Sequence, residues 1–130
     1  MATFQSFVDI DAWQRARELT GKVYTISNSP SFSKDFELKR QIRGACVSIM
    51  ANIAEGFGRS GSNEFLQFLA VAKGSACEVI SHIYVALDQG YVSKQDFEQV
   101  RALGEETVNL IGGLMSYLRR SSLRGAKFKR

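Results

Sequence analysis

The chain has 130 residues, enough for one domain with a single core, and its 45% hydrophobic and 23% charged residues exclude an intrinsically disordered polymer. A single proline leaves long helices uninterrupted, and no continuous apolar run approaches the roughly 20 residues of a membrane span. The net charge of +4 is unevenly held, because residues 119–130 contain six basic and no acidic residues and the other 118 carry a net charge of −2.

A first helix is expected from Asp9 or Asp11, either a suitable N-cap, to about Ser27. Its apolar positions Trp13, Ala16, Leu19, Val23 and Ile26 recur every three or four residues, the spacing of a buried helical stripe. Asn28-Ser29-Pro30-Ser31 ends it with turn formers and a proline. A second helix spans about 36–57, with Leu38, Ile42, Cys46, Ile49 and Ile53 as its stripe. The glycines and serines from Gly56 to Ser62 break it, and Ser62 can cap a third helix over about 63–89. That helix carries Phe65, Leu69, Ala72, Ala76, Val79, Ile83 and Leu87, and Gly90 ends it. Ser93-Lys94-Gln95-Asp96 reads as a capping box opening a fourth helix over about 93–118, with Phe97, Val100, Leu103, Val108, Ile111, Leu114 and Leu118 inside. Its glycines Gly104, Gly112 and Gly113 suggest close helix packing. No segment alternates with the period of a strand. Short connections make neighbouring helices antiparallel, so residues 1–118 are expected to form an all-α, up-down-up-down four-helix bundle. Residues 119–130 are expected to be a basic, mobile tail.

A second row lies beside the apolar stripe. Gln41, Ser48, Asn52, Glu55 and Arg59 share one face of the second helix, and Ser75 and Glu78 sit three apart on the third. A tight hairpin through 56–62 pairs residues whose numbers sum to about 120, which brings Ser75 near Ser48. The expectation is a polar seam of Gln41, Ser48, Asn52, Glu55, Ser75 and Glu78 between the two helices, against the plainer reading of a solvated face.

These same residues carry a resemblance. Gln41-Ile42-Arg43, Ser48-Ile49, Asn52-Ile53-Ala54-Glu55-Gly56 with Arg59, and Ala72-Lys73-Gly74-Ser75 with Glu78 resemble the four-helix-bundle proteins of 23S rRNA intervening sequences, a family related to the accessory variability protein of diversity-generating retroelements. Trp13, Ala16, Glu18 and Leu19 resemble its first-helix signature, and Leu87, Gly90 and Tyr91 its third turn. Gly44 departs from the pattern, where the family usually has a second arginine, and the basic tail lies outside it. The resemblance implies a ring-like homo-oligomer, a pentamer, without enzymatic activity. It also implies, from the retroelement branch, a nucleic-acid-binding accessory role beside a reverse transcriptase.

Other signals are weaker. Gly56-Phe57-Gly58-Arg59-Ser60-Gly61 matches GxGxxG, but that fingerprint requires a strand before the glycines, and here a helix precedes them. The lone histidine, His82, has only Glu78 at ligand spacing, so no metal site is expected. Cys46 and Cys77 fall among apolar neighbours on facing helices and have no histidine to activate them, and a disulfide between them stays open. Glu55 and Glu78 can meet as a carboxylate pair, but no substrate pocket surrounds them. The expectation is therefore a cytoplasmic, non-enzymatic protein without cofactor, catalytic residue or membrane association. It assembles with itself and contacts RNA or DNA phosphates through Arg119, Arg120, Arg124, Lys127, Lys129 and Arg130, with Lys39, Arg40, Arg43 and Arg59 secondary. The alternative is a protein–protein scaffold with no nucleic-acid role.

Overall fold

The computed structural model describes residues 4–59 and 61–128, with side chains up to Ser121. A 3-10 turn, Phe7–Asp9, leads into five helices: α1 Asp11–Ile26, α2 Pro30–Lys34, α3 Phe36–Gly58, α4 Ser62–Asp88 and α5 Lys94–Phe128. Among the described residues there is no strand.

The four long helices close around one core. α3 packs on α4, α4 on α5, α5 on α1, and α1 back on α3. Rising numbers on one helix meet falling numbers on the next: Lys22 pairs with Asp96 and Arg15 with Glu106. Likewise a Cβ on Gly104 would meet Ile80, while Tyr84 lies edge-on to Phe97. The core contains most of the expected stripes: Trp13, Leu87, Leu103, Val108 and Leu118 are only partly buried at its edge, while Ala16, Leu19, Val23, Ile42, Ile49, Ile53, Leu69, Val79, Ile83, Val100 and Ile111 are fully buried. Each such aliphatic larger than alanine contributes about 1.5–3 kcal/mol on leaving water.

Several local expectations change. Ser29-Pro30 opens the short helix α2 as well as ending α1, because proline at the first helical position gives up a donor that has no partner there anyway. α2 buries Phe32, which stacks on Tyr91 with ring centroids 5.5 Å apart. Neither Asp9 nor Asp11 caps α1: its N-cap is Ile10, while Asp9 closes a capping box with Ser6 around the 3-10 turn. Ser62 is the first residue of α4, with Gly61 at the cap. Half of the Ser93 box forms: the Ser93 hydroxyl accepts from the Asp96 amide at 3.0 Å, but the Asp96 carboxylate turns to Lys22 Nζ at 2.9 Å. A full positive charge outcompetes a backbone N–H for that carboxylate.

Helix α3 starts on Asp35, whose Oδ1 accepts from the Leu38 amide at 3.1 Å, while its Oδ2 accepts from the Tyr91 hydroxyl at 3.0 Å. Helix α4 ends at Gly90, whose φ of +74° lets the Tyr91 amide reach back to the Ala86 carbonyl at 2.9 Å. α5 continues ten residues past Leu118, because no proline or cap intervenes and Arg, Leu, Ala and Lys are good helix formers. Its 35 residues span about 52 Å at 1.5 Å per residue, against about 34 Å for the 23 residues of α3.

Lys73 and Glu78 interrupt the apolar residues of α4, so it contains no continuous run, yet an 18-residue window reaches a mean hydropathy of 1.2. By length and composition it is long and apolar enough to cross a membrane, as core helices of other folds also are, and only 28% of that window is buried.

Candidate functional site

The α3–α4 seam begins with small residues. Ala45, Ala72 and Ala76 are buried where the helices approach, and a Cβ on Gly56 would stand 2.7 Å from Phe68 Cβ. At the centre the Ser48 and Ser75 hydroxyls are 2.9 Å apart. Asn52 Nδ2 donates to the Ser48 carbonyl at 2.8 Å and to its hydroxyl at 3.1 Å. Three of the six expected seam residues therefore form one hydrogen-bonded group.

The other three go elsewhere. Gln41 bonds to Glu37 one turn back, Glu55 pairs with Arg59 at 2.8 Å, and Glu78 lies 3.6 Å from His82 Nε2. Glu55 and Glu78 do not form the carboxylate pair considered from sequence. Long side chains at the exposed edge of a helix find partners three or four residues away without crossing to a neighbour, whereas short hydroxyls reach only what packs against them. His82 Nε2 is buried with no hydrogen-bond partner, since Glu78 is beyond bonding distance. Among the described residues no group of three His, Cys, Asp or Glu side chains is placed to hold a metal ion.

Beside Asn52 a groove of about 210 Å³ is lined by Gln67, Phe68 and Val71. Val71 is 54% exposed, and the Arg59 guanidinium lies over the Phe68 ring at 5.1 Å. The sequence held a signal for it: Phe68 and Val71 each lie one position off the core stripe of Leu69 and Ala72. The glycine-rich turn joins two helices, α3 and α4, so its glycines lack the preceding strand of a dinucleotide site.

The basic candidates separate by their partners. Arg43 donates from Nε to the Ser27 hydroxyl at 2.8 Å and from Nη2 to Asn28 at 2.9 Å, and its guanidinium covers the Tyr24 ring at 4.3 Å. It ties α3 to the end of α1. Arg40 is held by Glu37 and Arg59 by Glu55. Lys39 is half-buried, while Arg119 and Arg120 are exposed on α5. The side chains of Arg124 and Lys127, and residues Lys129 and Arg130, lie outside the described residues.

The cysteines differ from each other more than their neighbours suggested. Both are free thiols, Cys46 buried and Cys77 exposed. Burial pushes the Cys46 thiol up to about 12, opposed weakly by a hydrogen bond with Thr20, so at neutral pH it is a protonated core residue and no nucleophile.

Comparisons with known proteins agree with these helices. The crystal structure of a protein of unknown function from the S23 ribosomal protein family of Bacteroides thetaiotaomicron VPI-5482 is similar with a TM-score of 0.73. The two are 20% identical, and the match covers 80% of this chain and 97% of that one. At that identity the likeness concerns the fold. No match is found among curated proteins. Residues 8–113, which include the whole Ser48, Asn52 and Ser75 group, match the 23S rRNA-intervening sequence proteins, and the chain belongs to that family.

Proposed function

We propose that this protein is a non-enzymatic, cytoplasmic assembly factor: an up-down-up-down four-helix bundle whose copies pack into a ring and which contacts RNA or DNA phosphates through the end of α5. Five is the number of copies that the family resemblance implies. A relationship to the retroelement accessory protein would make a reverse transcriptase the protein partner.

The observation that carries the nucleic-acid half is the division among basic residues. Arg40, Arg43 and Arg59 are engaged within the fold, while Arg119 and Arg120 are exposed at the start of a segment with six basic and no acidic residues. Lysine and arginine without local carboxylates neutralise phosphates at the least cost, and such contacts are indifferent to base sequence. The assembly half draws on α4, whose most apolar window is only 28% buried and which exposes Val71, Tyr84 and Val85. Apolar surface of that kind favours covering by another protein surface.

Filter binding of one RNA across a salt series tests the first half, using the native chain and a variant with all six basic residues of 119–130 changed to glutamine. The native protein is expected to bind with a log–log salt slope no steeper than about −4 to −5, at −0.7 to −0.9 per phosphate, and the variant to lose most of that slope. Equal affinities would move the contact to Lys39, Arg40, Arg43 and Arg59. Absence of binding by either at low salt would favour the protein–protein scaffold. For the second half, light scattering should give a mass several times 14.5 kDa, and a monomer at micromolar concentration would rule out assembly.

A further inference from the structure

Gly112 and Gly113 stand side by side in α5, although glycine is the poorest helix former short of proline. Packing does not require them. At Gly104 a Cβ would meet Ile80 Cγ1 at 2.7 Å, but at Gly112 and Gly113 it would meet nothing within 4 Å. Gly113 instead forms part of the wall of a cavity of about 240 Å³, where the start of α1 meets α5. Its other walls are Phe4, Ile10, Ala12, Leu110 and Leu114. An apolar cavity of about 150 Å³ admits benzene, so this one has room for an aromatic ring and a short alkyl arm.

The polar part of the lining is Asp11 and Asn109. Asp11 is exposed, and the nearest cation along α1, Arg15, is engaged by Glu18 and Glu106. One carboxylate, that of Asp11, therefore stands at the edge of otherwise apolar walls.

We propose that this cavity binds a small aromatic amine. The ring lies against Ile10, Leu110 and Leu114, and the ammonium group faces the Asp11 carboxylate, with the Asn109 side-chain oxygen as a second acceptor. Gly113 keeps the space open, since any larger side chain on that wall would stand in it. The proposal does not rest on nucleic-acid binding or on the ring, and requires only that no second copy occupies this cavity.

The test is a titration of the full-length protein with 2-phenylethylammonium chloride and, separately, with neutral 2-phenylethanol, followed through backbone amide signals by NMR. Saturable shifts are expected at Ile10, Ala12, Gly113 and Leu114. At low salt the ammonium compound should bind about two- to fivefold more tightly than the alcohol, the range of a solvent-exposed ion pair. Asp11→Asn should abolish that preference without weakening the alcohol. Gly113→Leu should weaken both ligands at least about tenfold, and Gly113→Ala, which improves helix propensity, should weaken both by a smaller factor with the fold intact. Shifts that do not saturate, or that spread over the whole surface, would overturn the proposal, as would equal affinity for amine and alcohol. So would movement of the same amides with protein concentration alone, since a second copy would then fill the cavity.

Discussion

The Ser48 and Ser75 hydroxyls meet at 2.9 Å between α3 and α4, and Asn52 Nδ2 sits 3.1 Å from the same Ser48 oxygen. Ser75 is 9% exposed, so its hydroxyl depends on Ser48 for a partner. Ser75→Ala is expected to cost about 0.5–1.5 kcal/mol, the usual net value of a hydrogen bond. Ser48→Ala should cost somewhat more, because it strands Ser75 and removes one of the two acceptors of Asn52. The double variant should lose less than the sum, since neither residue then leaves a buried group unpaired. Urea unfolding of the four proteins measures the coupling, and strict additivity would mean that the two hydroxyls act separately.

Glycines of one helix should respond in opposite directions. Gly104→Ala adds a carbon 2.7 Å from Ile80 Cγ1, and the overpacking is expected to cost about 1–3 kcal/mol despite the better helix propensity. Gly112→Ala meets nothing within 4 Å and should stabilise the protein by about 0.5–1 kcal/mol. Denaturant midpoints at unchanged m-value report both, and equal shifts would show that propensity alone governs the two sites.

Cys46 makes stability pH-dependent on the alkaline side. Its thiol is raised to about 12 in the folded protein, above the ordinary thiol value, so the folded state holds the proton more tightly than the unfolded state. The resulting stabilisation is complete below about pH 8.5 and is lost as pH rises towards 12. Relative to Cys46→Ala, the native protein should lose roughly 1–2 kcal/mol more between pH 8 and pH 10. A parallel pH profile for the two proteins would contradict the assignment. In the folded protein iodoacetamide should label Cys77, which is exposed, and leave Cys46 unmodified until the chain unfolds.

Asp35 serves two elements at once, capping α3 through the Leu38 amide and accepting the Tyr91 hydroxyl. The same contact raises the Tyr91 phenol above its ordinary value, with burial adding to it. Tyr91→Phe removes one bond and should cost about 0.5–1.5 kcal/mol, keeping the stack on Phe32. Asp35→Ala removes the cap as well and should cost about 1–3 kcal/mol in total. Spectrophotometric titration should show the Tyr91 phenol falling towards the ordinary range in Asp35→Ala, and an unchanged titration would place its cause elsewhere.

The sequence by itself determined the existence and core faces of the long helices, though not the C-terminal end of α5, because the 3.6-residue period of Leu38, Ile42, Ile49 and Ile53 or of Leu69, Ala76 and Ile83 is a local property that needs no partner to be read. It also determined that Ser48 faces Ser75, since a short turn between two helices sets their register. Pro30 was legible too, but as the end of one helix rather than also the start of another. Only the tertiary structure decided what lies beside each stripe. Whether Arg43 faces solvent or folds onto Ser27 and Tyr24, whether Asp96 caps its own helix or pairs with Lys22, and whether Gly104 or Gly112 meets a neighbour depend on how far each helix is rotated about its axis. That rotation is a compromise among four helices packed around one core, and no single helix encodes it. For the same reason Cys46 and Cys77, similar in their local sequence, lie on opposite sides of the boundary between core and solvent.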